Sequence, residues 1–407
     1  MKMDAVTTAP SRKAKLRKGK PPRLGRADRS ALGRWFWEID LVLLALVTVL
    51  IGIGLIAVAA ASPAAGVRYS DGAVQFPPLY YFYRQCIWLA IGVPVMFVVS
   101  MLPKDLARRA CLVGTAVAIA ALAVTPFIGH QVNGARRWLG FGMLQVQPSE
   151  FLKPLYVVAM AWLLSLKQHD RTLPVVPISL VVTGLIAAFL MKQPDFGQTV
   201  IFLLMWTALL TLSGAPLKGL AALAGVGVAA VVLAYLFYPV AHIRIDNFLF
   251  QSGDTYQVDS ARRTLMHGGL FGTGPGAGSM KFKLPEPHTD YIFSVIGEEF
   301  GLIACLAIAL NYVAIIVRVF VKLLDEEDPF ILLAAAGLAT QFGAQAIINM
   351  AVNVQLAPSK GMTLPFLSYG GSSMVALSIG FGLLLAFTRR NPYLTRSPYV
   401  VTWNQSR

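Results

Sequence analysis

Long apolar stretches, interrupted by short polar or basic segments, dominate the chain between residues 39 and 388. A helix needs roughly 20 mainly apolar residues to cross about 30 Å of hydrocarbon. By that measure the pattern predicts about ten spans, over 39–61, 85–102, 109–127, 149–166, 173–191, 196–213, 218–239, 291–320, 330–352 and 367–388. The expected fold class is an all-α polytopic membrane protein with a large outward loop, 240–290, between spans seven and eight. A long loop in a compact bundle is more often functional than idle. Within it, 256–266 carries neither Pro nor Gly and predicts a short surface helix. The expected organisation is a basic tail over 1–36, a transmembrane core over 37–390 and a C-terminal tail over 391–407.

Composition sharpens this picture. With 56% hydrophobic and 14% charged residues among 407, and a mean hydropathy of +0.63, a soluble globular protein of this size is excluded. The net charge of +15 is concentrated in residues 2–34. Beside a long apolar run, such a tail signals a cytoplasmic anchor against anionic lipid rather than a nucleic-acid arm. Lys104, Arg108, Arg109, Lys167, Arg171, Arg389 and Arg390 fall on the same side, so both termini are expected in the cytoplasm. The first apolar run is long enough to span and is expected to stay as an uncleaved helix. Cys86, Cys111 and Cys305 show no metal spacing and no disulfide framework.

The outward linkers break the usual charge bias, because Arg136, Arg137, Lys192, Arg244, Arg262, Arg263, Lys281, Lys283 and Lys360 all lie there. Either an anionic ligand or pairing with Asp195, Asp246, Asp254, Asp259 and Glu286 accounts for them. The glycines at 268, 269, 272, 274, 276 and 278 let backbone approach an anion. No Gly-Lys-Ser/Thr follows, so a loop shaped over a lipid diphosphate is expected instead of a nucleotide site.

Asp290 stands at the outward mouth of the eighth span, after Lys281, Lys283 and His288. It suits a helix N-cap, or a general base beside cations that grip an anion. Asp290, Ser294, Gly297, Glu298 and Gly301 share one face at helical spacing. Glu298 and Glu299 lie deep enough to be costly in lipid; they either serve function or hydrogen-bond across the bundle to Gln345 or Asn349. At the fourth span Ser149 and Glu150 suit a helix start, and Lys153 either joins the arginines as an anion clamp or pairs with Glu150. Trp138 reads as an interfacial anchor. Ser368 to Ser373, with Pro358 and Pro365 before them, make an irregular polar entry to the last span, which implies a cavity edge.

The ordered set GARRW at 134–138, QPSEFLK at 147–153, QPDFGQ at 193–198, GGLFGTGPGAGS at 268–279, LPEPHTDYIFSVIGEEFG at 284–301 and PSKGMTLPFLSYGGSS at 358–373 resembles the SEDS family of shape, elongation, division and sporulation proteins. The last motif and the tail before the first span resemble the division branch more than the elongation branch. Ser359 stands where threonine is common and Pro287 where alanine is. The resemblance implies a lipid II polymerase in the Gram-negative inner membrane at the division septum, working with a class B penicillin-binding protein and other divisome membrane proteins, with undecaprenyl diphosphate leaving and the anomeric configuration inverting. It implies Asp290 as the catalytic acid/base residue. Arg136, Arg137, Lys153, Lys281, Lys283, His288, Glu298, Ser368 and Ser372 become the candidate substrate contacts. A divalent cation, Mg or Mn, is left open, without a ligand cluster to hold it. Two other readings stand beside this one: a lipid II flippase with Glu298 and Glu299 along its path, and a scaffold that recruits division proteins.

Overall fold

The computed structural model describes residues 31–70, 75–132, 135–140, 145–170, 172–250, 256–359 and 361–389. Residues 1–30 of the basic tail, Lys360 and everything from Arg390 onward lie outside the described residues. Ala31–Glu38 forms a short amphipathic helix, α1, on which Phe36 and Trp37 meet edge to face at 5.6 Å.

The described core runs α2 (Leu41–Tyr69), α3 (Tyr80–Ser100), α4 (Lys104–Ile128), a hairpin of β1 (His130–Val132) and β2 (Ala135–Trp138), α5 (Pro148–His169), α6 (Val175–Lys192), α7 (Phe196–Leu212), α8 (Leu217–Phe237), α9 (Pro239–Leu249), α10 (Tyr256–His267), a 3₁₀ turn at Met280–Lys283, α11 (Ile292–Leu323), α12 (Pro329–Asn353) and α13 (Gly371–Thr388). Each expected span has its helix, and α10 is the expected surface helix. Among the described residues, eight helices are long and apolar enough to cross a membrane. Helix α7 has 17 residues. Helix α8 turns by 103° into α9 and makes a ninth span only as a bent pair.

Helices α5, α12 and α13 form the centre, with 72%, 72% and 78% of their spans buried, against 22–33% for α2, α3, α4, α6 and α11. The outer helices present Val98, Val113, Val181 and Leu310 outward, and those apolar faces require lipid as their solvent. Between α3 and α13 small residues allow close approach: a Cβ at Gly92 would sit 2.7 Å from Ser378 Oγ, and one at Gly382 2.7 Å from the Met96 carbonyl.

The two ends differ in chemistry. At the end expected to be cytoplasmic, Asp40 accepts from the N–H groups of Val42 and Leu43 and pairs with Arg318 at 3.0 Å and Lys322 at 2.7 Å. Burial alone would raise the Asp40 carboxyl, but Lys322, the Leu43 N–H and Arg318 together hold it below its ordinary value.

At the opposite end α11 is not the continuous helix that the pattern predicts. Gly301 adopts φ 80°, ψ 178°, a conformation open to glycine. The loop after α10 enters this break: Thr273 and Gly274 donate to the carbonyls of Glu298 and Glu299, while Leu302 and Ile303 donate to Gly269 and Leu270. A Cβ at Gly268 would meet the Gly297 carbonyl at 1.9 Å. The glycine run is thus a backbone wedge that satisfies a broken helix within the bundle, which corrects the expectation of a loop over a diphosphate. The break falls at Gly301, the last member of the expected stripe from Asp290.

Candidate active site

The hairpin, the starts of α3, α5, α7 and α13, and the loops before α11 and α13 converge on an outward cavity of about 600 Å³. All these segments lie at the end assigned outward by charge. That convergence follows from helix length: each span returns its polar linkers to one of two ends, and those of one end share a mouth.

Asp290 lines the cavity beside Glu286 and Thr289. It is not a side-chain N-cap, since Tyr291 occupies that position with no side-chain bond. Its backbone is fixed instead: the carbonyl accepts from Asn349 Nδ2 at 2.9 Å and Asn353 Nδ2 at 3.1 Å. With Gln345, these amides repeat every four residues and form one stripe on α12. Gln345 donates to the Thr363 carbonyl at 3.0 Å and accepts from Lys153 at 3.1 Å, while Asn349 also donates to the Met362 carbonyl at 2.6 Å. One helix face therefore positions the acid, the 361–363 loop and α5. The carboxylate of Asp290 has no hydrogen-bond partner among the described residues, and Gly361 lies so close that a Cβ there would be 2.9 Å from Oδ2.

Burial, reinforced by the negative charge of Glu286, pushes the Asp290 carboxyl up from 3.8 to about 7. A carboxyl poised there accepts a proton near neutral pH far better than an ordinary aspartate. Glu286 is held by the hydroxyls of Tyr69 and Thr289.

The structure brings Asp290, Arg137 and Ser372 to the cavity. Arg137 is largely committed, donating to the carbonyls of Gln193 (3.1 Å) and Pro194 and lying 3.8 Å from Asp195. Lys153 stands one side chain behind the wall, buried against Glu150 at 2.8 Å and Gln345; its expected direct contact is replaced by support of Glu150, which does line the cavity.

The other expected contacts sit elsewhere, each for a specific reason. Lys281 is buried and donates to Glu299 and to the Ala60 carbonyl at 2.9 Å. Glu298 accepts from the N–H groups of Met280 (2.7 Å) and Lys281 (2.9 Å) and from His267 at 3.2 Å, so it braces the loop and bonds neither Gln345 nor Asn349 as a partner across the bundle. His288 is enclosed by the rings of Tyr69, Tyr81 and Tyr369. Burial pushes its imidazole down to about 4, so it is neutral at pH 7 and supplies no cation. Ser368 accepts from Leu364 N–H and donates to the Thr289 carbonyl at 2.6 Å, a turn-stabilising role. Arg136 is exposed and donates to the Phe127 carbonyl, and Lys283 is exposed away from the cavity lining.

Sequence reasoning missed Arg84 and Gln198, and saw Glu286 only as a counter-ion; all three line the cavity. A lone Arg within YYFYRQCIW, at the outward start of a span, was the available signal: a cation there costs too much to lack a ligand or a partner.

An apolar bundle with a polar outward cavity, a raised carboxyl and cations on its walls defines a multi-pass membrane protein built for an anionic, polar ligand at the membrane face. Residues 40–393 match the cell cycle protein family of FtsW, RodA and SpoVE, and the chain belongs to that family. It is 40% identical over 369 residues to the probable peptidoglycan glycosyltransferase FtsW of Caulobacter vibrioides, covering 90% of this chain and 93% of the relative. It is 36% identical to that of Thioalkalivibrio, covering 90% and 93%. Among solved structures, a chain from a peptidoglycan synthase complex that coordinates polymerization and crosslinking superposes with TM-score 0.68 at 25% identity, covering 86% of this chain and 97% of the other. The rod shape determining protein RodA of Thermus thermophilus superposes with TM-score 0.62 at 25% identity, covering 86% and 96%.

Proposed function

We infer that this chain is a division-type peptidoglycan glycosyltransferase that polymerises lipid II into glycan strands at the outer face of the cytoplasmic membrane. The observation that carries the reading is the raised carboxyl of Asp290, without a hydrogen-bond partner among the described residues, on an outward cavity large enough for sugars. In the proposed step Asp290 accepts the proton of the acceptor's GlcNAc 4-hydroxyl as that oxygen bonds to the donor's anomeric carbon. The bond from that carbon to the undecaprenyl diphosphate oxygen breaks, and the configuration inverts. The asparagines of α12 hold the base in register, which supplies the positioning part of the rate enhancement. Among the described residues no group of three His, Cys, Asp or Glu side chains that could hold a metal ion is present, and the step proposed here is written on Asp290 alone.

The similarity to a complex that joins polymerization to crosslinking supports a class B penicillin-binding protein as partner, with other divisome proteins around it. The basic tail supports cytoplasmic termini, and the division-branch motifs support placement at the septum. The flippase reading drew on Glu298 and Glu299; both are engaged in bracing the loop, which leaves that path without its residues. The test is reconstitution of the full chain with its penicillin-binding partner and lipid II. Unaltered protein makes glycan strands and Asp290→Asn makes none; lipid II crossing the bilayer with no glycan product would reject the polymerase reading.

A further inference from the structure

With Lys281, Lys283 and Arg136 off the cavity lining, the leaving group of the proposed reaction lacks its expected holders. One wall offers others. Helix α13 begins at Gly371 after the N-cap Gly370, which makes no side-chain cap bond, and no side chain among the described residues accepts from its first-turn N–H groups. Residues 370–373 all line the cavity. The orphan N–H groups of a helix start, with the helix dipole behind them, favour an anion. Independently, Ser372 is 3% exposed and its Oγ has no partner among the described residues. Arg84 also lines the cavity with a buried Nε that has no partner among the described residues. Its guanidinium lies over the rings of Tyr80 and Tyr369 at 5.5 and 5.9 Å and donates to the Tyr80 hydroxyl at 3.3 Å. Trp88, one turn further along α3, packs so tightly on Gly371 that a Cβ there would meet the indole at 2.6 Å. Residues four apart share a helix face, so this contact aims Arg84 at the start of α13.

We propose that Arg84, the Ser372 hydroxyl and the free N–H groups at the start of α13 form a cradle for a lipid-linked diphosphate. The assignment rests on the glycosyltransferase reading and gives the donor's leaving group its place. Arg137, committed to two carbonyls and Asp195, serves the neighbouring wall.

The experiment titrates the full-length protein in detergent micelles with farnesyl diphosphate and farnesyl monophosphate by calorimetry, with lipid II polymerisation measured in parallel. The diphosphate is expected to bind at least about tenfold tighter than the monophosphate. Arg84→Gln is expected to weaken diphosphate binding by about tenfold or more, the scale of a lost charge-assisted hydrogen bond. Ser372→Ala removes a hydroxyl without a partner among the described residues, so it is expected to fold normally and to weaken binding by about threefold. Asp290→Asn is expected to bind the diphosphate normally while making no glycan. Wild-type affinity in both Arg84→Gln and Ser372→Ala, or a loss in Arg137→Gln alone, overturns the cradle even if lipid II is polymerised. Variant-dependent diphosphate binding without any polymerisation upholds the cradle and removes the enzymatic reading.

Discussion

Replacing Asp290 by asparagine is expected to abolish glycan synthesis and, at neutral and alkaline pH, to stabilise the protein. The carboxyl's pKa is pushed from 3.8 to about 7, first by burial and then by Glu286. Below about pH 4 it is protonated in both folded and unfolded chains and costs nothing. Between about 4 and 7 the unfolded chain loses the proton while the folded one keeps it, so stability falls as pH rises; above about 7 the cost is constant. Roughly three pH units at about 1.4 kcal/mol each set a ceiling of ~4 kcal/mol. Screening in the open cavity reduces this to roughly 1–3 kcal/mol. Asparagine carries no such penalty and keeps nearly the same shape. Thermal unfolding in detergent, followed by tryptophan fluorescence at several pH values, reads the effect. The Tm of Asp290→Asn should exceed that of the unaltered protein by a gap that is near zero at pH 4, widens to pH 7 and is flat beyond. Titration of His288 is common to both proteins and cancels in the difference. A gap independent of pH, or an unaltered protein more stable than the variant at pH 8, refutes the argument that burial raises this carboxyl.

Glu286→Gln removes the charge that adds to the raised pKa of Asp290, so the acidic limb of the pH profile for kcat/KM should move to lower pH; a limb that stays in place would show that Glu286 does not act on the base. Gly361→Ala places a methyl 2.9 Å from Asp290 Oδ2 and should lower polymerisation by about tenfold or more with little change in Tm, since the position is exposed; full activity would mean that this side of the carboxylate is not used. Lys153→Met leaves Glu150 buried without its cation and should cost about 3–5 kcal/mol, whereas adding Glu150→Gln should recover much of that stability. Unfolding of the single and double variants in a double-mutant cycle decides it, and equal losses in both would place the role of Lys153 outside the pair.

The sequence by itself determined the spans and the place of Asp290 at the mouth of one of them, and it predicted which face is outward. Apolar length reports membrane crossing because lipid leaves the backbone no partner but its own helix, and basic bias reports orientation because charge is counted locally, loop by loop. Asp290 was legible for the same reason: a carboxyl at the mouth of a span is a local fact. What only the tertiary structure decided is which cations face the cavity. Lys281 and Arg84 both sit at the end assigned outward, yet Lys281 turns inward to Glu299 and the carbonyl of Ala60, which is 221 residues away in sequence, while Arg84 lines the cavity. The glycine run likewise gave no local sign that it would enter a break at Gly301. A side chain's direction in a loop is fixed by partners far along the chain, and spacing along one segment does not carry that information.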